Sequence, residues 1–288
     1  PEIRIRGTNS INGYAPLYVV DGLFSDNINY LNPSDIESME ILKDPSSLAI
    51  FGVRGANGVI IVNTKRAKTG QTLINFNTSV GFKNVVDKMS MTNAAQFREI
   101  YDEQRINQGV GPFDYSNYNA DTDWQDEIFQ TGFITNNNVS ITGASDKNRF
   151  YVGVGYTSEE GNIKNEKFSK VTFNASSDYN VTDFLRFGFQ INGSRTLPPD
   201  AKGVTGAIKA APIAPLYGPD GVLFQAMPDF QRSQVSNPMT SVETLANTTI
   251  AENNRAAGNV YGEVDIMKNL SFKTTFSLDY AVGESRGF

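Results

Sequence analysis

Apolar and polar residues alternate along most of the chain after residue 72. Ile74, Phe76, Thr78, Val80 and Phe82 fall on one side of an extended segment; Asn75, Asn77, Ser79 and Gly81 fall on the other. A period of two marks a strand with two unlike faces. The same pattern predicts six more strands, over about 134–143, 148–157, 168–180, 184–194, 255–267 and 270–282. In the third, Phe150, Val152, Val154 and Tyr156 oppose Arg149, Tyr151, Gly153 and Gly155. In the fifth, Leu185, Phe187, Phe189 and Ile191 oppose Arg186, Gly188, Gln190 and Asn192. Most of these segments run roughly 10–13 residues, beyond the usual length of globular strands and matched to tilted strands that cross a bilayer. Tight links join the second to the third, the fourth to the fifth and the sixth to the seventh. The other connections are long, at about 83–133, 158–167 and 195–254. Short turns at one end and long loops at the other form the pattern of an outer-membrane barrel. The apolar faces are then expected to meet lipid and the polar faces a wet lumen. The same alternation also suits a soluble antiparallel sandwich with one wet face.

The first 65 residues follow another rule. Ile3 and Ile5 alternate with Arg4 and Arg6 as a short strand, and Asn9 to Gly13 reads as loop. Pro16 to Val20 is nearly continuous and apolar, closed by a turn at Asp21-Gly22. Asn32 to Asp35 can cap a short helix. From Ile36 the order is strand, short helix, Gly-rich turn, strand. Ile36, Met39, Ile41 and Leu42 carry the first strand. Asp44 stands before Pro45 as helix N-cap, and Phe51-Gly52 ends the helix. Arg54-Gly55-Ala56-Asn57-Gly58 turns the chain, and Val59 to Val62 is a β-branched run fit for a buried strand. The spacing of Gly52, Gly55 and Gly58 suggests a phosphate loop, but here the glycines follow a helix and open a strand, and no Gly-Lys-Ser/Thr accompanies them. Nucleotide-binding loops have the reverse order. Between the predicted strands, a helix is expected over 89–106, capped by Ser90 or Thr92, with Phe97, Ile100 and Tyr101 on its apolar side. Asp121 to Phe129 is acidic with an apolar edge, and 195–253 reads as an irregular excursion.

Composition narrows the chemistry. The 288 residues include no cysteine and no histidine, which removes disulfides, thiolates, the commonest general base and the commonest zinc ligand. The net charge of −6 and the lack of a basic stripe argue against nucleic acid as a partner. Mean hydropathy is −0.33, a value that does not discriminate against membrane barrels. The opening Pro1 to Gly7 reads as mid-strand, so the chain is expected to be an internal piece of a longer protein.

Pro16 to Gly22, Leu42 to Gly52 and Arg54 to Ile60, followed by Asp123-Trp124 to Phe129, Asn138 to Gly143 and Arg149 to Gly161, carry a resemblance. Together they resemble the TonB-dependent outer-membrane transporters, and within them the SusC/RagA type. Asp44 replaces the glycine common in the broader family and is usual in this narrower type. The resemblance implies a mixed fold. Residues 1–68 would be the C-terminal part of a small α/β plug domain. Residues 69–288 would be the first antiparallel transmembrane β-barrel strands, seven of about 22, with the TonB-contacting region absent. It implies import of an oligosaccharide or peptide, driven through TonB, with a SusD-like surface lipoprotein as lid and the outer-membrane bilayer as surroundings. No cofactor, no metal and no enzymatic activity are expected. The alternative is a non-transporting carbohydrate-binding or adhesive β-protein.

The plug motif then comprises Asp21, Gly22, Lys43, Asp44, Pro45, Phe51, Gly52, Arg54, Gly55, Asn57 and Gly58. The charges of Asp21, Lys43, Asp44 and Arg54 are expected to pair within the plug or with the wall and to yield when it rearranges. Tyr115, Tyr118, Trp124 and Tyr217 lie in the long connections, where aromatic faces stack on a ligand or pack the loop. Asp121, Asp123, Asp126 and Glu127 lack the spacing of a calcium loop and read as an acidic helix start.

Overall fold

The fold is taken from a computed structural model, which describes residues 3, 5, 15–67, 70, 72–199, 203–244 and 248–287. The expected first strand and the loop over Asn9 to Gly13 lie largely outside these residues. Two sheets organise the rest. The smaller holds β1 (Leu17–Val20), β2 (Leu23–Ser25), β3 (Ile36–Leu42) and β4 (Val59–Thr64) in the order β2-β1-β4-β3. Between β3 and β4 lie α1 (Pro45–Leu48) and a 3-10 segment, Ala49–Gly55. β1 and β4 pair in parallel, Leu17 opposite Val59 and Val20 opposite Val62.

Both central strands are buried on both faces, which is why they read as unbroken apolar runs. Leu17, Val19 and Val59 pack against Leu48 and Phe51 from the helical side; Tyr18, Val20, Ile60 and Val62 pack with Tyr30 and Leu31. β2 was not legible in the sequence. Asp21 (φ 49°) and Gly22 (φ 89°) form the two left-handed positions of a tight hairpin, a geometry that favours Asp-Gly. Asp44 takes the N-cap position before Pro45 but its side chain makes no capping bond. Gly52 interrupts the helical path at φ 57°, ψ −147°, a conformation only glycine adopts without strain.

The second sheet is a seven-stranded antiparallel meander. β5 (Leu73–Lys83), β6 (Gly132–Ala144), β7 (Asn148–Glu160), β8 (Lys167–Asn180), β9 (Leu185–Leu197), β10 (Thr249–Met267) and β11 (Leu270–Gly287) follow one another in chain order. All seven expected strands are present. β10 and β11 run to 19 and 18 residues, extending beyond the segments read from alternation. Phe76, Val139, Val154, Phe173, Ile191 and Phe276 stand exposed on one face. Asn138, Ser140, Tyr151, Thr172, Asn174, Ser176, Gln190 and Asn192 are buried on the other. The small sheet covers that polar face, with Ala257 of β10 joining its core. Among the described residues no helix is long and apolar enough to cross a membrane, which says nothing of crossing by strands.

The long connections are more ordered than the sequence suggested. They contain α2 (Ala94–Asn107), α3 (Trp124–Ile128) and α4 (Val204–Lys209), and a π turn over Thr240–Thr244. The α2 cap is Asn93, in a reciprocal capping box with Gln96, rather than Ser90 or Thr92. The expected excursion over 195–253 supplies a hydrophobic core: Ala207, Ala210, Ala214, Met227, Met239 and Val242 pack with Trp124, Ile128 and Ile163. All three long connections thus fold together as one cap.

Gly52 has no heavy atom within 4 Å of the place where a Cβ would sit. Gly52→Ala therefore tests backbone strain without steric overlap. It is expected to lower the stability of the small sheet by about 1–3 kcal/mol, read from amide-exchange protection of β4; unchanged protection would refute the conformational account.

Candidate functional site

The small sheet meets the wall along a polar seam, and the residues of that seam form the candidate site. At one end is the Asp21-Gly22 hairpin. Asp21 accepts a bond from the Thr64 backbone N–H at 3.0 Å through Oδ1 and from Gln190 Nε2 at 2.5 Å through Oδ2. Gln190 Nε2 also donates to Thr64 Oγ1, and its Oε1 accepts from Arg66 Nη2 at 2.9 Å. Arg66 lies 3.7 Å from Asp178, which accepts a 2.5 Å bond from Tyr261. One glutamine on β9 thus holds the hairpin, the end of β4 and the segment leaving it. Burial raises the Asp21 carboxyl above its ordinary range, opposed by its bonds to Thr64 and Gln190 and by the Arg66 charge.

At the other end the chain turns sharply through a 3-10 turn, Pro33–Asp35. Asn32 caps it, its Oδ1 accepting from the Ser34 N–H at 2.9 Å. Asp35 is 1% exposed and accepts a 2.5 Å bond from Tyr151 Oη on β7. Asn32 Nδ2 donates to Thr172 Oγ1 on β8 at 3.4 Å, and Lys170 Nζ donates to the carbonyls of Asn29 and Leu31 at 3.2 and 3.3 Å. Farther along the wall, Arg255 donates to Ser25 Oγ at 2.9 Å, pairs with Asp279 at 2.6 Å and lies 4.2 Å from the centre of the Tyr30 ring.

Among the described contacts of the four charged motif residues, those of Asp21 reach the wall. Arg54 lies over the Phe24 ring at 5.1 Å, within the small unit. Lys43 and Asp44 are exposed. Gly55 and Gly58 are buried in the turn before β4, and Gly58 takes φ 98°. Phe51 packs on the helical side of the sheet and Asn57 Nδ2 donates to the Ala15 carbonyl at 3.4 Å. The motif therefore shapes the small unit, while most of the wall contacts come from residues the motif did not include. Asp35, Tyr151, Thr172 and Gln190 carry them. A signal was present in Tyr151-x-Gly153-x-Gly155, since glycines at alternate positions of a strand mark a close approach by another backbone.

The loop aromatics have different fates. Trp124 is 3% exposed, its indole N–H donates to the Ala211 carbonyl at 3.0 Å, and its ring packs the cap core. Of the two expectations for that residue, stacking on a ligand or packing the loop, the structure displays the packing. Tyr115 and Tyr118 are half-buried around Phe113, with their hydroxyls donating to Asp102 and to the Ala226 carbonyl. Tyr217 stays 45% exposed and donates to Glu243 at 2.9 Å. The acidic run is a helix start: Asp123 caps α3, Asp121 accepts from the Ala94 N–H, Asp126 pairs with Lys88 and Glu127 with Lys164.

Residues 1–59 match the family model described as TonB-dependent Receptor Plug Domain. The chain is 31% identical over 286 residues to TonB-dependent receptor P3 of Formosa agariphila, covering 96% of this chain and 27% of that protein. It is 30% identical to TonB-dependent receptor SusC of Bacteroides thetaiotaomicron, covering 98% and 30% respectively. Among solved structures, the RagAB peptide transporter aligns with a TM-score of 0.80 at 21% identity, over 99% of this chain and 36% of that one. The chain thus spans under a third of the curated relatives it matches, and the structural likeness establishes the fold.

Two measurements check this geometry. The raised Asp35 carboxyl, pushed up chiefly by burial against the lowering effects of Tyr151, Asn138 and Lys65, binds its proton more tightly in place than when detached. Its stabilising contribution is full below the ordinary carboxylate pKa and is lost as pH rises through the raised value. Protection of residues 32–36, corrected for intrinsic exchange, should fall as pH rises from the acid range, and Asp35→Asn should flatten the profile. A flat wild-type profile would contradict this assignment. For the cap, Trp124→Ala should cost about 3–5 kcal/mol locally and expose 203–244 to limited proteolysis; a resistant cap would show that the ring is not its keystone.

Proposed function

This chain belongs to the TonB-dependent receptors of the SusC/RagA type, and we propose that its parent protein imports a large nutrient across the outer membrane of a Gram-negative bacterium. The cargo class is an oligosaccharide or a peptide. Residues 1–68 act as the later part of the plug and 69–288 as the first strands of the barrel. The observation that carries the reading is the seating of the small sheet against a polar wall whose opposite face is apolar and exposed. A free carbohydrate-binding or adhesive sheet has no use for a second folded unit filling its polar concavity. A gated pore does, because the unit blocks passage until it is displaced.

In this reading Asp21 and the glycine-rich corner hold the plug's shape, and the seam residues hold its position. The folded cap stands at the extracellular mouth, where Tyr217 offers an exposed ring to the ligand. Tyr115 and Tyr118 shape the cap around it. A SusD-like lipoprotein closes over this mouth, and TonB supplies energy from the inner membrane. The protein works as a transporter rather than an enzyme, with no cofactor or metal in the cycle.

Cells carrying the full-length receptor are expected to accumulate labelled oligosaccharides or peptides in an energy-dependent way, and to lose that uptake on deletion of the receptor or of TonB. A parent protein that is soluble without detergent and missing from outer-membrane fractions would overturn the proposal.

A further inference from the structure

The strands of the wall pair in register, so inner-face side chains that share a row are neighbours. One row runs Thr157, Lys170, Thr196, Asn253 and Gly283 across β7 to β11. The row beside it, toward the short turns, runs Thr172, Ser194, Arg255 and Ala281. Gly283 leaves room in the first row, where a Cβ would fall 2.8 Å from Asn253 Oδ1. Residues of these two rows and residues 27–31 of the small unit line a cavity of about 750 Å³. It stands at the loop end of the wall, where β8 begins and β9 ends.

Among the described residues, Lys83, Lys170 and Arg255 are the cations on this face at the loop end, and two of them are neutralised. Lys83 pairs with Glu159 at 2.5 Å, and Arg255 forks onto both carboxylate oxygens of Asp279 at 3.0 and 2.6 Å. Glu159 and Glu166 line a separate hollow with Lys83, and Asp26 is exposed on the side of Arg255. Lys170 has no carboxylate partner among the described residues. Its Nζ donates to the carbonyls of Asn29 and Leu31 at 3.2 and 3.3 Å. Those carbonyls orient the ammonium without cancelling its charge, and an ammonium has three N–H donors. One donor is left over. Beside it, Thr196 and Asn253 make no side-chain hydrogen bond among the described residues. A half-buried cation with a spare donor, flanked by a spare hydroxyl and a spare amide, suits a carboxylate. The charge and one oxygen go to Lys170, and the second oxygen to its row neighbours.

We propose that this cavity is a cargo subsite that Lys170 makes selective for a carboxylate, so that the imported oligomer is acidic. The carboxylate belongs to a uronate group of an oligosaccharide or to the free C-terminus of a peptide. This rests on the import reading given above, in which cargo that has entered the mouth reaches the cavity before the small sheet. Arg255 is held by Asp279 and shapes the cavity; Lys170 supplies the unmatched charge.

The test measures binding to the full-length receptor in detergent, by calorimetry, and needs no uptake. Two pairs of probes are compared: a hexameric oligogalacturonate with its methyl ester, and an N-acetylated alanine pentapeptide with a free or an amidated C-terminus. In one pair the acid is expected to bind about tenfold tighter than its neutral twin, the scale of one charge-assisted hydrogen bond. That pair identifies the source of the carboxylate. Lys170→Gln, which keeps an N–H donor and removes the charge, should erase the difference, and Lys170→Arg, which keeps the charge, should retain it. Equal affinity for acid and neutral twin in both pairs, a difference that survives Lys170→Gln, or one that Lys170→Arg abolishes while the variant stays folded, would overturn the inference. A receptor that binds the acid in this way but transports nothing would sink the import reading and leave the subsite standing.

Discussion

The alternation of side chains across the wall is the constraint on which everything else depends. A strand has two faces, and here one is Val, Ile and Phe while the other is Asn, Ser, Thr and Gln. Such a sheet cannot be content in water or in oil alone. Its apolar face needs lipid or another apolar surface, and its polar face needs water or hydrogen-bonding partners. The small sheet answers the second need. It brings a capped turn, a hairpin aspartate and several backbone carbonyls to the polar face. The residues it bonds, among them Gln190 and Thr172, are 1% and 3% exposed. Without that cover the same residues would simply line a channel.

This division explains why the small sheet is built as it is. A unit that fills a concavity is surrounded, so its central strands are buried on both sides and pair in parallel, as strands covered on both faces do. Its contacts with the wall are hydrogen bonds and charge pairs rather than apolar packing; Ala257 is the wall's contribution to its buried core. Polar contacts of this kind give register and orientation, and they can be exchanged for water at modest net cost. An apolar interface of the same size would hold the unit more firmly. The chemistry of the seam therefore agrees with a gate more than with a permanent core.

The sequence made the wall legible because period two is a strong signal when sustained over seven long segments. Strand identity, order and face assignment all follow from it, and so does the two-sided burial of Val59 to Val62. What it did not reveal follows from the same physics. β2 has three residues, too few to show a period. Asp35 sits in a polar run whose burial depends on Tyr151, a residue 116 positions away. Gln190 and Thr172 looked like ordinary members of a wet face, because alternation reports which face a residue occupies and not what stands opposite. The glycines at 153 and 155 were the one local trace of that opposing surface.

The cap shows the limit of reading function from residue type. An indole in a long connection fits ligand stacking, and it equally fits a hydrophobic core. Three connections distant in sequence meet around Trp124 and Met239, so the apolar content of each is explained by the other two and leaves little for a ligand. Under the proposed function, what that core does not use is the exposed edge carrying Tyr217. The core also couples the connections mechanically. A substitution in one changes the shape of the surface presented by all three, so under the proposed import reading ligand preference belongs to the packed cap and not to any single loop.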